Sequence, residues 1–129
     1  MRTILYTTVK DAEKFDGGKW FTKETLSLAI DRFFSLGKNK QFLCKGNGTS
    51  GIQTNSICID KSNIIGRIIE IFPDRIIVDL NENKIPSKLL DLILDGIFKV
   101  DMRCIITDID TRTNEILNLI ILSYDLRIT

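Results

Sequence analysis

Histidine is absent from this 129-residue sequence. It is the commonest general base near neutral pH and the commonest metal ligand. Its absence excludes Ser-His, Cys-His and His-metal sites, and leaves carboxylate-only, Ser-Lys and Thr-based chemistry. Charge of one sign is also missing. Lys and Arg number 18 and Asp and Glu 17, for a net charge of +1, a poor basis for displacing counterions from nucleic acid. The Lys38-Asn39-Lys40 cluster reads as solvated loop. No run approaches the roughly 18 apolar residues of a membrane helix, and Met1 to Thr8 carries no signal-peptide pattern. The three cysteines, Cys44, Cys58 and Cys104, are odd in number and widely spaced, with no CxxC pair. They read as reduced, buried apolar residues in an intracellular setting rather than a disulfide frame. Without an export signal the Asn47-Gly48-Thr49 sequon carries little meaning.

Hydrophobic residues make up 43% of the chain and charged residues 27%, an ordinary globular balance for one domain over 1–129. Residues 3–9 are rich in β-branched types and read as a strand. Phe15 to Trp20 is a turn with Gly17 and Gly18. Thr22 can cap a helix whose Leu26, Ala29, Ile30 and Phe33 share one face, with Leu36-Gly37 ending it. Gln41 to Lys45, residues 52–59, residues 63–72 and residues 75–80 read as strands, the last two separated by Pro73-Asp74. Pro86 and Ser87 open a second helix, with Ser as cap or Pro in its first turn, and Gly96 stops it. Leu89, Leu90, Leu92, Ile93 and Leu94 make it apolar nearly all round, so it is deeply buried or meets a partner. The plainer alternative, that it is simply core, is preferred. Residues 98–107 and 115–126 complete the strands. The expected fold is α+β: about seven strands in a curled antiparallel sheet or small barrel with two packed helices.

Two loops carry superficial motifs. Gly46-Asn47-Gly48-Thr49-Ser50-Gly51 has the letters of a dinucleotide-binding loop, but a strand rather than a helix is expected after it. Asp108 to Glu115 starts as D-x-D, yet lacks the glycine and distal glutamate of an EF-hand. Plain loop and hairpin turn are the readings taken, with no cofactor and no metal expected.

The order of segments resembles tailed-phage prohead (head maturation) proteases. Phe15-Asp16-Gly17-Gly18-Lys19-Trp20-Phe21-Thr22-Lys23-Glu24-Thr25-Leu26, with Ala29 and Phe33, is similar to that family's N-G-R-x-Y-P-x-E-x-L opening and helix. Ser62 to Ile69 resembles its strand entering the sheet. Pro86 to Gly96, followed by Ile97, resembles its T-P-x-G-x-x-L-x-x-L-x-x-x-G helix. Lys99-Val100-Asp101-Met102-Arg103 sits where the family has G-x-S-S-R, and Ser123-Tyr124-Asp125-Leu126 where it has a Phe-Asp-Leu-Val strand. The resemblance implies a herpesvirus assemblin-like barrel with packed helices and denies its chemistry. The family's histidine would fall near Cys44 to Gly48, where there is none. Its serine pair falls on Asp101 and Met102, and only Arg103 of that motif survives. Cys104 has no base, and Arg103 should point to the opposite strand face.

These readings imply no catalytic residues and a binding role: a structural phage virion protein, auxiliary or decorating, bound to the major capsid protein. It would lie in the virion capsid after assembly in the host cytoplasm, with no nucleic acid or membrane as partner. The apolar helix 87–95 and the loop 46–51 are the candidate contacts. The alternatives are a transient head-assembly factor, a host-directed effector, or an atypical His-free protease acting through a lysine-assisted serine or threonine. Its candidate serines, Ser50, Ser56, Ser62 and Ser87, all read equally well as loop residues or caps.

Overall fold

A computed structural model describes residues 1–7, 18–37, 40–46 and 61–128. They form an α+β arrangement of six strands and two helices, in the order β1 (Arg2–Tyr6), α1 (Lys23–Ser35), β2 (Phe42–Cys44), β3 (Ile64–Ile71), β4 (Arg75–Leu80), α2 (Ser87–Leu94), β5 (Phe98–Asp110) and β6 (Glu115–Ile128). The expected strand over 52–59 lies outside the described residues.

Local signals explain most of the elements. Thr22 caps α1, its Oγ1 accepting from the Thr25 N–H at 3.2 Å. Leu26, Ala29 and Phe33 form the buried stripe that the 3.6-residue period requires. Gly37 does not provide a left-handed stop: α1 ends at Leu36, which is already extended. Pro73-Asp74 closes the β3–β4 hairpin, where Phe72 N–H donates to the Arg75 carbonyl at 2.8 Å. Pro86 occupies the capping position of α2 and Ser87 is its first helical residue, so neither expected arrangement holds and no side chain caps this helix.

Gly96 stops α2 as the sequence indicates. Its φ is +79°. Its N–H donates to the Ile93 carbonyl at 3.1 Å, and Ile97 N–H donates to the Leu92 carbonyl at 3.2 Å, the paired bonds of a Schellman ending. A Cβ at Gly96 would touch nothing, so the cost of Gly96→Ala is confined to the backbone. That substitution is expected to cost about 1 kcal/mol, read as a melting temperature lower by about 4 °C.

The sheet order is β1-β4-β3-β2-β6-β5. Two hairpins, β3–β4 and β5–β6, are joined through the three-residue β2, which pairs antiparallel with β3 and parallel with β6. The sheet is therefore mixed, not antiparallel as expected. It curls far enough for its outermost strands to touch at a single bridge, Thr7 to Val100. Close packing between β3 and β4 requires Gly66, where a Cβ would lie 2.7 Å from the Asp79 carbonyl oxygen. The core gathers Leu5, Leu43, Ile68, Ile76 and Val78 from the first part of the sheet with Val100, Ile116, Leu119, Ile121 and Phe33.

The β5–β6 hairpin is longer than the sequence indicates. Asp108, Ile109 and Asp110 continue the strand, and the turn is confined to residues 111–114. Asn114 takes a φ of +62° there, and its N–H donates to the Asp110 carbonyl at 2.8 Å. Trp20 fastens the start of α1 to this tip. Its indole N–H donates to the Thr113 carbonyl at 2.9 Å, and its carbonyl accepts from Ile116 N–H at 2.7 Å.

Candidate functional site

The two segments that carry the sequence motifs, 99–103 and 123–126, face each other across the β5–β6 ladder. Asp101 pairs with Asp125, Met102 with Tyr124 and Arg103 with Ser123. Alternation sends Asp101, Arg103, Ser123, Asp125 and Arg127 to one face. Tyr124 and Leu126 go to the other and enter the core.

A polar cluster results. Arg103 Nε and Nη2 donate to Asp125 Oδ2 at 3.0 and 2.8 Å, and Ser123 Oγ donates to Oδ1 at 3.1 Å. A second diagonal pair, Arg127 Nη1 to Asp101 Oδ2 at 2.9 Å, lies beside it. The parallel pairing of β2 with β6 sets Cys44 directly against Asp125. Ser123 and Asp125 lie close enough to act on the thiol's proton.

Burial pushes the Cys44 thiol up to about 11, and the Asp125 charge adds to the effect. The Arg103 guanidinium opposes both and is outweighed. The arrangement therefore holds a protonated thiol at neutral pH, the opposite of what an activated cysteine needs. Ser123 is 0% exposed and Cys44 1%, so neither oxygen nor sulfur meets solvent. Ser123 has a carboxylate beside it, but that carboxylate is already held by an arginine. What the cluster does chemically is tie β5 to β6 through one carboxylate, with Cys44 of β2 packed beside it.

The Arg103 charge acts on the Cys44 thiol and not on that of its neighbour Cys104. Cys104 follows a break in register between Arg103 and Cys104, and burial pushes its thiol up to about 11 as well. Ser62 falls in a short 3-10 turn, Lys61–Asn63, and Ser87 is exposed at the start of α2. Ser50, Ser56, Cys58 and most of the loop 46–51 lie outside the described residues. Gly46, at its start, has a φ of +66° and packs its Cα against the Leu126 carbonyl, where a Cβ would come within 2.6 Å. Among the described residues no group of three or more Cys, Asp or Glu side chains is placed to hold a metal ion, and no helix is long and apolar enough to cross a membrane.

The second feature is an apolar surface. Helix α2 is not simply core, contrary to expectation. Ile93 alone of its side chains is buried, Leu89 and Leu90 are half-buried, and Leu92 and Leu94 are 43% and 47% exposed. Eight residues give barely two turns, and only one stripe of them can reach the sheet. Leu94 borders a groove of about 590 Å³ between the end of α2 and strand β1, whose Ile4 and Tyr6 line it too. Ile4 is 48% and Tyr6 55% exposed. Other exposed apolar side chains, such as Leu28 on α1 and Leu117 on β6, are ordinary on a protein surface.

No protein-family model, curated protein or solved structure matches this chain.

Proposed function

We propose that this chain is a non-catalytic binding protein of the phage head, built on a prohead-protease-like fold, whose partner is the major capsid protein. The observation that carries the binding role is the apolar surface of α2 and β1: Leu92, Leu94, Ile4 and Tyr6 lie exposed, and three of the four border one groove. Contiguous exposed apolar surface is costly in water and marks sites of association. The sealed Ser123–Cys44 cluster supports a structural rather than a catalytic part for the motif segments, since a nucleophile needs both a base and access. The capsid context rests on the order of sequence segments that resembles the head maturation proteases. In this role it is an auxiliary or decoration protein of the mature shell.

Quantitative mass spectrometry of purified virus particles, set against infected-cell lysate, tests it. Many copies per particle in fixed ratio to the major capsid protein are expected. Abundance in lysate with absence from particles would move the protein to a transient role in head assembly. The contact surface is tested by Leu92→Gln with Leu94→Gln. Both side chains are exposed, so the stability change should stay within about 0.5 kcal/mol. Co-sedimentation with capsids should weaken by about tenfold or more, the loss of a central apolar contact. Unchanged co-sedimentation would remove α2 from the interface.

A further inference from the structure

Among the described residues β1 is an outer strand of the sheet. It pairs with β4 from Arg2 to Tyr6, and touches β5 at the single Thr7–Val100 bridge. Two bonds fix the phase of the β1–β4 ladder. Thr7 N–H donates to the Asp74 carbonyl at 3.0 Å, and Leu80 N–H donates to the Met1 carbonyl at 2.7 Å. Main-chain groups alternate direction along an antiparallel strand. Odd positions therefore face β4. The N–H and C=O of Arg2 and Ile4, and the N–H of Tyr6, point away from it.

That direction is the groove. Its far wall is Ile93, Leu94, Asp95 and Gly96 at the end of α2, then Phe98 and Lys99 at the start of β5. Main-chain donors and acceptors at strand spacing match an extended chain and not a helix, because a helix satisfies its own backbone groups. The apolar wall of Leu94 and Phe98 asks for apolar side chains on alternate residues. Charge sets the ends. Asp95 caps the C-terminus of α2, the negative end of the helix dipole, and no ion pair engages it among the described residues. Lys99 lines the same groove further along.

We infer that the open edge of β1 takes up an extended segment of a partner protein as an added strand, with alternate apolar side chains, a basic residue toward Asp95 and an acidic residue toward Lys99. This rests on the binding reading above and specifies how the partner is held. It depends on no particular partner.

The probe is a synthetic peptide, acetyl-Lys-Val-Thr-Val-Thr-Val-Glu-amide. Its control, with the central Thr-Val-Thr replaced by Pro-Pro-Pro, lacks donors on both edges of the strand. Hydrogen exchange on the intact protein, followed residue by residue by NMR, is the measurement. The Ile4 and Tyr6 amides should gain protection with the first peptide and none with the control, while the Leu5 amide, already bonded to β4, changes little. Ile4→Pro removes an outward N–H and no bond to β4, and should weaken peptide binding by about tenfold. Ile4→Thr should leave binding within about threefold, since it keeps the N–H and the strand preference. Exchange at Ile4 and Tyr6 unaltered by saturating peptide would overturn the inference, and that measurement needs no variant to fold. Equal binding of the proline control would overturn it as well. A dimer in sedimentation velocity that Ile4→Pro abolishes would replace the partner by a second copy of this chain. Absence from virus particles with peptide protection intact would overturn the capsid reading alone.

Discussion

Asp125→Ala is expected to lower the unfolding free energy by about 3 kcal/mol, within the 3–5 kcal/mol range of a broken buried ion pair. The Arg103 and Asp125 side chains are each 13% exposed, so both have lost most of their hydration. One carboxylate answers the guanidinium through two N–H groups on Oδ2, and the Ser123 hydroxyl on Oδ1. Alanine takes the counter-charge from a guanidinium held largely away from water, and the acceptor from a fully buried hydroxyl. The remaining access to water places the value at the lower end of the range. Arg103→Met with Asp125→Leu should recover most of the loss, because the desolvation of both charges goes with them. The Arg127–Asp101 pair is more open, at 31% and 21%, and breaking it should cost about 1 kcal/mol or less. Urea unfolding at neutral pH measures all three. A loss below about 1 kcal/mol for Asp125→Ala would mean that water reaches the carboxylate and that the cluster adds little to the β5–β6 hairpin.

The same cluster marks where sequence reading stops. Thr22, the Leu26–Ala29–Phe33 stripe, Pro73-Asp74 and Gly96 are legible because each acts within a few residues: a cap, a helical face, a hairpin turn and a left-handed stop. The contacts of Arg103 are not. Alternation places it opposite Cys104, which the structure bears out. Nothing in alternation says that a three-residue strand from early in the chain will lie parallel to β6 and bring Cys44 to Asp125. The mixed sheet is hidden for the same reason. Composition misleads at two points. Asp108 and Asp110 are polar enough to read as loop, yet they continue β5, because that end of the hairpin is partly solvated and its residues need not be apolar. Leu92 and Leu94 are apolar enough to read as core, yet they are exposed. Periodicity identifies which side chains are apolar, and the rest of the chain decides which of them are covered. That difference turns α2 from a core element into the clearest candidate contact surface, with the open edge of β1 beside it.

Raising the pH from about 9 to about 11 is expected to remove about 2–3 kcal/mol of stability for each of Cys44 and Cys104. Burial is the main cause at both sites, since a thiolate out of water is penalised and the thiol is not. At Cys44 the Asp125 carboxylate adds repulsion, which Arg103 offsets in part. Each thiol is thus raised from its ordinary 9.0 to about 11 in the folded protein, which holds its proton more tightly than the unfolded chain. Below pH 9 both states keep the proton and stability is flat with respect to these groups. Between 9 and 11 the unfolded chain releases the proton and the folded chain does not, so unfolding gains about 1.4 kcal/mol per pH unit per thiol. Above 11 both states are ionised and the loss is complete. Tyr124, raised by its burial, adds to the decline once unfolded tyrosine begins to ionise. The Met1 amine, raised chiefly by its hydrogen bond to Asp79, contributes alike to parent and variant. Cys44→Ala with Cys104→Ala should therefore start less stable at pH 8 and lose less between pH 9 and 11, so that the two stability curves converge. Urea midpoints taken at unit steps of pH decide it. Parallel alkaline slopes in parent and variant would show that neither thiol is held protonated by the fold. Convergence produced by Cys104→Ala alone would place Cys44, and with it the carboxylate cluster, in contact with water.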